Sequence, residues 1–387
     1  MFKILVALLP IVAGQRQVEF STRPNNVSIL LLYFTHDATQ KATVLAPFGV
    51  WSLLAGVSFG ASSDTRREIF RSCLLLTDMK KFYDQYNILE NTVFNNHSDE
   101  VNVSSTNFYF IDRSFNEVSN RDYHDDLVKN SRVIITYLDF ETPSQAAARA
   151  NKRVSLQSPP ISNVYVPEDF TGASMLMGNV IFFKGLWTLP FNVSNTRIER
   201  VDGLFVEMMI QRAKVPYSHL DSMKASVMEL SYGSDGKYCM LLIYPDSNIN
   251  VKNVYKNFEK ITFQDILNIL QEDVRKNGLK EIDIKLPRFK KSTYYYLNKP
   301  LNDMGIYNAF DPTYARFPHI AREPIYIETI EHNTVLTVTE SGIVAFSATP
   351  GRGTAFNQLR DENVPTNLIL FVLEKTTATV ILGGIFP

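Results

Sequence analysis

The chain has 387 residues, of which 45% are apolar, 12% aromatic and 20% charged, a composition too hydrophobic for disorder and too polar for a bundle of membrane helices. Lys and Arg number 39 against 40 Asp and Glu, for a formal net charge of −1, which argues against a general binder of nucleic acid or of anionic membranes. The length fits one large domain or two to three of about 150 residues each.

Lys3, the apolar stretch Ile4 to Val12 and the small residues Ala13 and Gly14 form the three parts of a secretory signal peptide. The expectation is a leader over 1–14 and an exported mature chain over 15–387. No other segment approaches the roughly 18 apolar residues that a membrane span requires. The sequons at Asn26, Asn96, Asn102 and Asn192 agree with a secretory route and are the candidate glycan acceptors. Next, Pro47, Val50, Trp51, Leu53, Leu54 and Val57 carry helical spacing behind a helix-starting proline. Within it, Gly56-Val-Ser-Phe-Gly60 matches the G-x-S-x-G pattern of a hydrolase nucleophile. That nucleophile sits on a strained strand-to-helix turn, whereas Ser58 falls near the end of a helix, so the hydrolase reading is set aside.

Thr65-Arg-Arg-Glu68 has capping-box spacing, and Thr262 with Phe263, Ile266, Leu267, Leu270 and Val274 predicts an amphipathic helix ending near Gly278. Ile282, Ile284 and Leu286 alternate with charged residues, the period of a strand with one buried face. Strand-like runs follow at Thr334 to Thr339, Leu368 to Leu373 and Thr376 to Leu382. With no repeat, low-complexity tract or linker, these elements predict a single α+β domain with large sheets. Between two of the runs, Ser347 to Asn363 is small and polar and contains Pro350, Gly351 and Gly353, which reads as a long exposed loop and the first place to look for activity.

Chemistry-bearing patterns are few. The six histidines are scattered, and no zinc-ligand spacing or phosphate-cradling glycine loop is present, so no cofactor or metal is expected. Cys73 and Cys239 are too few for a disulfide framework; Cys239, inside the run Tyr238 to Tyr244, reads as a buried thiol, with a Cys73–Cys239 bridge as the alternative. The cluster Lys285, Arg288, Lys290 and Lys291 reads as a solvated face rather than a polysaccharide site.

Asn179-Val-Ile-Phe-Phe-Lys-Gly-Leu-Trp-Thr-Leu-Pro-Phe191 resembles, nearly letter for letter, the most recognisable stretch of the serpin family. It is joined by Val206-Glu-Met-Met209, Leu230-Ser-Tyr232, Met240-Leu-Leu-Ile-Tyr-Pro245, Leu286-Pro-Arg-Phe-Lys290 and Leu301 through Phe310. Val338-Thr-Glu-Ser-Gly342 is similar to the serpin hinge and Ile381-Leu-Gly-Gly-Ile-Phe-Pro387 to the last strand, so the likeness runs from about Val44 to the C-terminus. It implies three sheets, eight or nine helices and an exposed reactive loop that serves as bait for a protease. After cleavage the loop inserts as a central strand of the largest sheet, and before cleavage chain connectivity holds it out.

Residue by residue, the likeness assigns the hinge to Glu340, Gly342, Ile343, Val344 and Ala345, and the first inserting segment to 343–349. Alternation would turn Ile343, Ala345, Ser347 and Thr349 inward and Val344, Phe346 and Ala348 outward. Pro350 lacks the N–H that a central strand needs, so insertion is expected to be easy to Thr349 and poor beyond. Counting forward from Gly342 reaches Phe356-Asn357 and counting back from Pro365 reaches Thr354-Ala355. The scissile bond is therefore sought among Arg352, Gly353, Thr354, Ala355, Phe356 and Asn357. Asn151, Asn179 and His332 match the polar shutter beneath the sheet, while Ala46 and Gly49 stand where the family has serines. The reading is thus a secreted, monomeric inhibitor whose partner is an endopeptidase, serine-type by default or papain-like cysteine-type, with a non-inhibitory carrier or storage protein as the alternative.

Overall fold

The computed structural model describes residues 2–116, 121–131, 133–156, 164–201, 204–247, 249–328, 330–348 and 367–386. The scissile-bond candidates Arg352 to Asn357, like Thr349 and Pro350, lie outside them. The α-helices are α1 (Phe2–Thr39), α2 (Pro47–Gly60), α3 (Ser63–Ser72), α4 (Met79–Phe94), α5 (Arg121–Asn130), α6 (Pro143–Ser155), α7 (Val251–Asn257), α8 (Phe263–Asn277) and α9 (Asn298–Asp303). The first eight strands are β1 (Thr43–Leu45), β2 (Asn96–His97), β3 (Val101–Asp112), β4 (Val133–Leu138), β5 (Met175–Leu186), β6 (Arg197–Val201), β7 (Leu204–Val215) and β8 (Tyr217–Leu220). The rest are β9 (Ala225–Tyr232), β10 (Tyr238–Pro245), β11 (Lys280–Pro287), β12 (Phe289–Tyr296), β13 (Glu331–Thr339), β14 (Gly342–Ala348), β15 (Leu368–Glu374) and β16 (Thr379–Phe386).

Three sheets carry the strands. The largest runs β12-β13-β14-β5-β3-β2, with β4 parallel beside β3. A second runs β1-β16-β15-β10-β9-β8, and a third is β11-β7-β6. This is the α+β class with three sheets that the sequence predicts, with nine α-helices among the described residues. The second sheet is the most deeply buried: every residue of β15 and β16 is buried, as their near-continuous apolar runs require. Helix α2 is buried along its whole length, the expected fate of a helix that is apolar all round. A satellite apolar cluster under α6 gathers Phe108, Phe110, Tyr165 and Phe170.

Thr262 caps α8 as predicted, accepting from the Asp265 backbone while Asp265 reaches back. In β11, Ile284 and Leu286 are buried between exposed charges. Ser58 is buried in the last turn of α2 and donates to the Ala55 carbonyl (2.6 Å), which leaves no nucleophile elbow. The Thr65 capping box is not formed. Helix α3 starts after Ser62, and buried Thr65 instead accepts from the Arg316 N–H (3.1 Å), tying the helix to a distant loop. Strand β16 begins at Thr379 rather than Thr376, because the buried Glu374 carboxylate holds a turn through the N–H groups of Thr376 and Thr377. Cys73 and Cys239 are both buried and free, and burial pushes both thiols up. The residues read as a leader open α1, which continues unbroken to Thr39. No helix among the described residues is long and apolar enough to cross a membrane.

Thr262→Ala removes one half of the α8 capping box and should cost about 1 kcal/mol, read as a lowered midpoint of chemical denaturation.

Candidate functional site

The site is a strand in the middle of the largest sheet. After β13 the chain reverses at Glu340 and Ser341, and Gly342–Ala348 run back as β14, antiparallel to β13 on one side and to β5 on the other. Ile343 pairs with Val338 and Gly185, and Ala345 with Leu336 and Phe183. Ile343 and Ala345 are each 1% exposed and Val344 is 43% exposed, so the alternation expected of this segment holds over these three residues. Two sequence expectations are corrected. The uncut segment is not held outside the sheet, because seven residues already satisfy their backbone on two neighbours at once. Ser347 and Ala348 accordingly belong to this strand and not to the loop.

The entrance to the strand is clamped. A Cβ on Gly342 would lie 2.1 Å from the Gly185 carbonyl oxygen, so only glycine permits this approach of two backbones. Trp187 seals the end of the reversal: its indole N–H donates to the Thr339 carbonyl (2.9 Å) and its backbone N–H to Ser341 (3.0 Å). The indole stacks on Tyr232 at 4.7 Å between centroids. Buried Glu340 accepts from the Thr196 hydroxyl (2.8 Å) and pairs with Arg288 (3.6 Å). Arg288 also pairs with Glu207, and Lys285 with Glu199. Carboxylates thus face the exposed Lys285 and Arg288, but Lys291 is buried, so the cluster is not the single solvated face that the sequence suggests.

Just past the inner end of β14 lie Asn179 and His332. Ala348 pairs with Asn333 and Val180, so the next step of the same register falls opposite His332 and Asn179. The Asn179 amide donates to the Ser105 hydroxyl (3.1 Å) and to Asn107 Oδ1 (2.8 Å). The network continues from Asn107 to Ser52 (2.7 Å), from Ser52 to Tyr86 (2.6 Å) and from Tyr86 to Glu90 (3.0 Å). His332 Nε2 accepts from the Ala46 N–H (2.9 Å) and lies 2.9 Å from the Thr334 hydroxyl. An Nε2 that accepts carries no proton, so the ring is neutral with its proton on Nδ1, and burial lowers its pKa to about 3.

Asn151 is placed elsewhere. Its amide accepts from the Tyr165 N–H and donates to the Tyr165 carbonyl, both at 2.8 Å, which fastens α6 to its own apolar cluster. The sequence reading missed Ser52, Tyr86, Glu90, Ser105 and Asn107, since isolated polar residues in apolar runs carry no spacing signal. By resemblance alone, Gly49 counts as a lost hydroxyl. In the structure a Cβ there would lie 1.9 Å from Asn179 Oδ1, so the missing side chain is the space that Asn179 fills. Of the sequon asparagines, Asn26 on α1 and Asn192 are exposed, while Asn96 and Asn102 are half-buried on β2 and β3.

A family model described as "Serpin (serine protease inhibitor)" matches residues 23–384. "Serine protease inhibitor 2" of Anopheles gambiae is 27% identical over 406 residues, covering 96% of this chain and 91% of its own. Among solved structures, "Cleaved Serpin 42Da" superposes with a TM-score of 0.78 at 21% identity, covering 95% of this chain and 97% of that one. "Thyroxine-binding globulin complex with thyroxine" does so at 0.74 and 19%, covering 95% and 98%.

Two outcomes follow from the geometry. Because the His332 pKa lies below its ordinary 6.5, the unfolded chain binds the proton more tightly. Stability is full above pH 6.5 and declines as pH falls toward 3, by on the order of 1–2 kcal/mol at pH 5. His332→Gln should flatten that part of the stability–pH curve. Gly49→Ser should displace the Asn179 amide and cost about 1–3 kcal/mol, measured by thermal or denaturant unfolding.

Proposed function

The chain belongs to the serpin family, and from that premise we propose that it is a secreted, monomeric inhibitor of an endopeptidase, serine-type by preference and papain-like cysteine-type as the alternative class. The observation that carries this reading is the position of Gly342–Ala348, already laid as the central strand of the largest sheet. A segment that fits this position while the chain is intact is suited to go further once the loop behind it is cut.

In the proposed sequence the protease nucleophile attacks a carbonyl between Arg352 and Asn357. The peptide bond breaks, the newly freed amine leaves with the C-terminal segment, and the acyl group stays on the protease. Cleavage removes the restraint between Ala348 and Leu368, and residue 349 can then take the place that the register reserves between His332 and Asn179. In this reading the two side chains keep the polar partners that they already have, so the step strands neither of them. Pro350 follows and brings no N–H, which costs one ladder bond. The hinge role of Glu340, Gly342, Ile343, Val344 and Ala345 is supported by the Gly342–Gly185 approach and the Glu340 contacts. The shutter role is supported for Asn179 and His332, and Asn151 acts in this reading as the anchor of α6. The leader at 1–14 and the exposed sequons Asn26 and Asn192 support secretion.

A second reading, a carrier protein, is favoured by an apolar groove of about 680 Å³ between α1 and residues 255–265, lined by Ile29, Leu30, Tyr33, Phe34, Tyr255 and Phe258.

Incubation with trypsin-, chymotrypsin-, elastase- and papain-like proteases should give, with one of them, a denaturant-resistant adduct and a released C-terminal peptide. Cleavage in the loop with no adduct and no loss of protease activity for any of them would refute the inhibitor. Ala345→Glu places an unpaired charge at a position 1% exposed, a burial that costs several kcal/mol. The variant should be cleaved at an unchanged rate but should form adduct at least tenfold less.

A further inference from the structure

Trp187 has a second face to the molecule. Beside it, where β7, β9 and β11 meet the stretch Trp187 to Phe191, lies an open cavity of about 280 Å³. Its walls are mostly apolar, with Trp187, Phe191, Leu279 and Ile284 among its lining residues. At its margin stands the ion pair of Lys375 with buried Glu229 (2.6 Å), whose charges cancel. Lys214 also lines the cavity and enters no ion pair with a described residue, so the surplus charge around it is one positive. Gln211 also lines the cavity, and its buried Oε1 has no hydrogen-bond partner among the described residues, so a donor that reaches it from the cavity would satisfy it.

We propose that this cavity is a binding site for a flat amphipathic organic anion, an aryl carboxylate or aryl sulfonate bearing an N–H or O–H donor. The aromatic body would lie against Trp187 and Phe191, the anion would face Lys214, and the donor would meet Gln211. Apolar walls with a few convergent polar groups are the general character of small-molecule sites, and the volume lies just below the roughly 300 Å³ at which their usual range begins. The site is distinct from the reactive loop, but not independent of it. The Trp187 indole that forms one wall also donates its N–H to the Thr339 carbonyl, and the backbone N–H of the same residue donates to Ser341, so an occupant that braces the indole braces the start of β14.

The probe is 1-anilinonaphthalene-8-sulfonate, an aryl sulfonate with one N–H, titrated into the full chain while tryptophan is excited. The expected result is one saturable site with sensitised probe emission. Lys214→Glu, and separately Leu279→Trp at a position 46% exposed, should each weaken binding at least tenfold. Near-ultraviolet circular dichroism checks that both variants keep the native fold. Leu30→Arg, in the groove beside α1, should leave binding unchanged. Absence of saturable binding, affinity unchanged in both cavity variants, or loss of binding in Leu30→Arg would each overturn the proposal.

Discussion

Strands β5 and β13 run in the same direction and are kept apart by one strand that runs the other way. That constraint organises the molecule. With β14 between them, every pairing along the line from β12 to β3 is antiparallel; without it, β5 and β13 face each other in parallel, the somewhat weaker arrangement. The sheet therefore has a standing preference for a guest strand, and the segment that follows the Glu340–Ser341 reversal is delivered to the gap in the direction that this requires.

Two sets of contacts flank the guest strand. At the mouth, bare backbone at Gly342 and Gly185 lets the strands touch, and Trp187 holds the reversal by two carbonyls. Farther in, a line of polar side chains runs from Asn179 through Asn107, Ser52 and Tyr86 to Glu90 on α4. Buried polar networks are costly when broken and specific when whole, so the sheet at Asn179 and the helix behind it are tied into one unit. His332 belongs to the opposite wall, bonded to the segment ahead of α2. Both walls are thereby tied to α2, His332 through Ala46 at its N-cap and Asn107 through Ser52 within it.

Much of this was legible in the amino-acid sequence. The run from Asn179 to Phe191 carries a pattern so specific that its resemblance alone predicts the three-sheet architecture, and Ile282, Ile284 and Leu286 display a strand period that the structure repeats. Local signals failed where another partner outbid them. Thr65 has the spacing of a cap, yet its hydroxyl serves Arg316, 251 residues away in sequence. Thr376 and Thr377 have strand propensity, yet the Glu374 carboxylate folds them into a turn. Asn151 matched a pattern but is claimed by the Tyr165 backbone, and Gly49 looked like a loss because the side chain that fills its space comes from another strand.

The alternation of Ile343, Val344 and Ala345 has a mechanical corollary. In a strand laid down from a fixed hairpin, each inward residue gains burial together with backbone pairing, whereas each outward residue gains pairing alone. The descent in free energy is then a staircase with treads of unequal height, repeating every two residues. At about 3.4 Å per residue, anything tethered to the advancing end of the strand is drawn along in strides of about 7 Å, and it is pulled hardest on those steps where a side chain drops into the core.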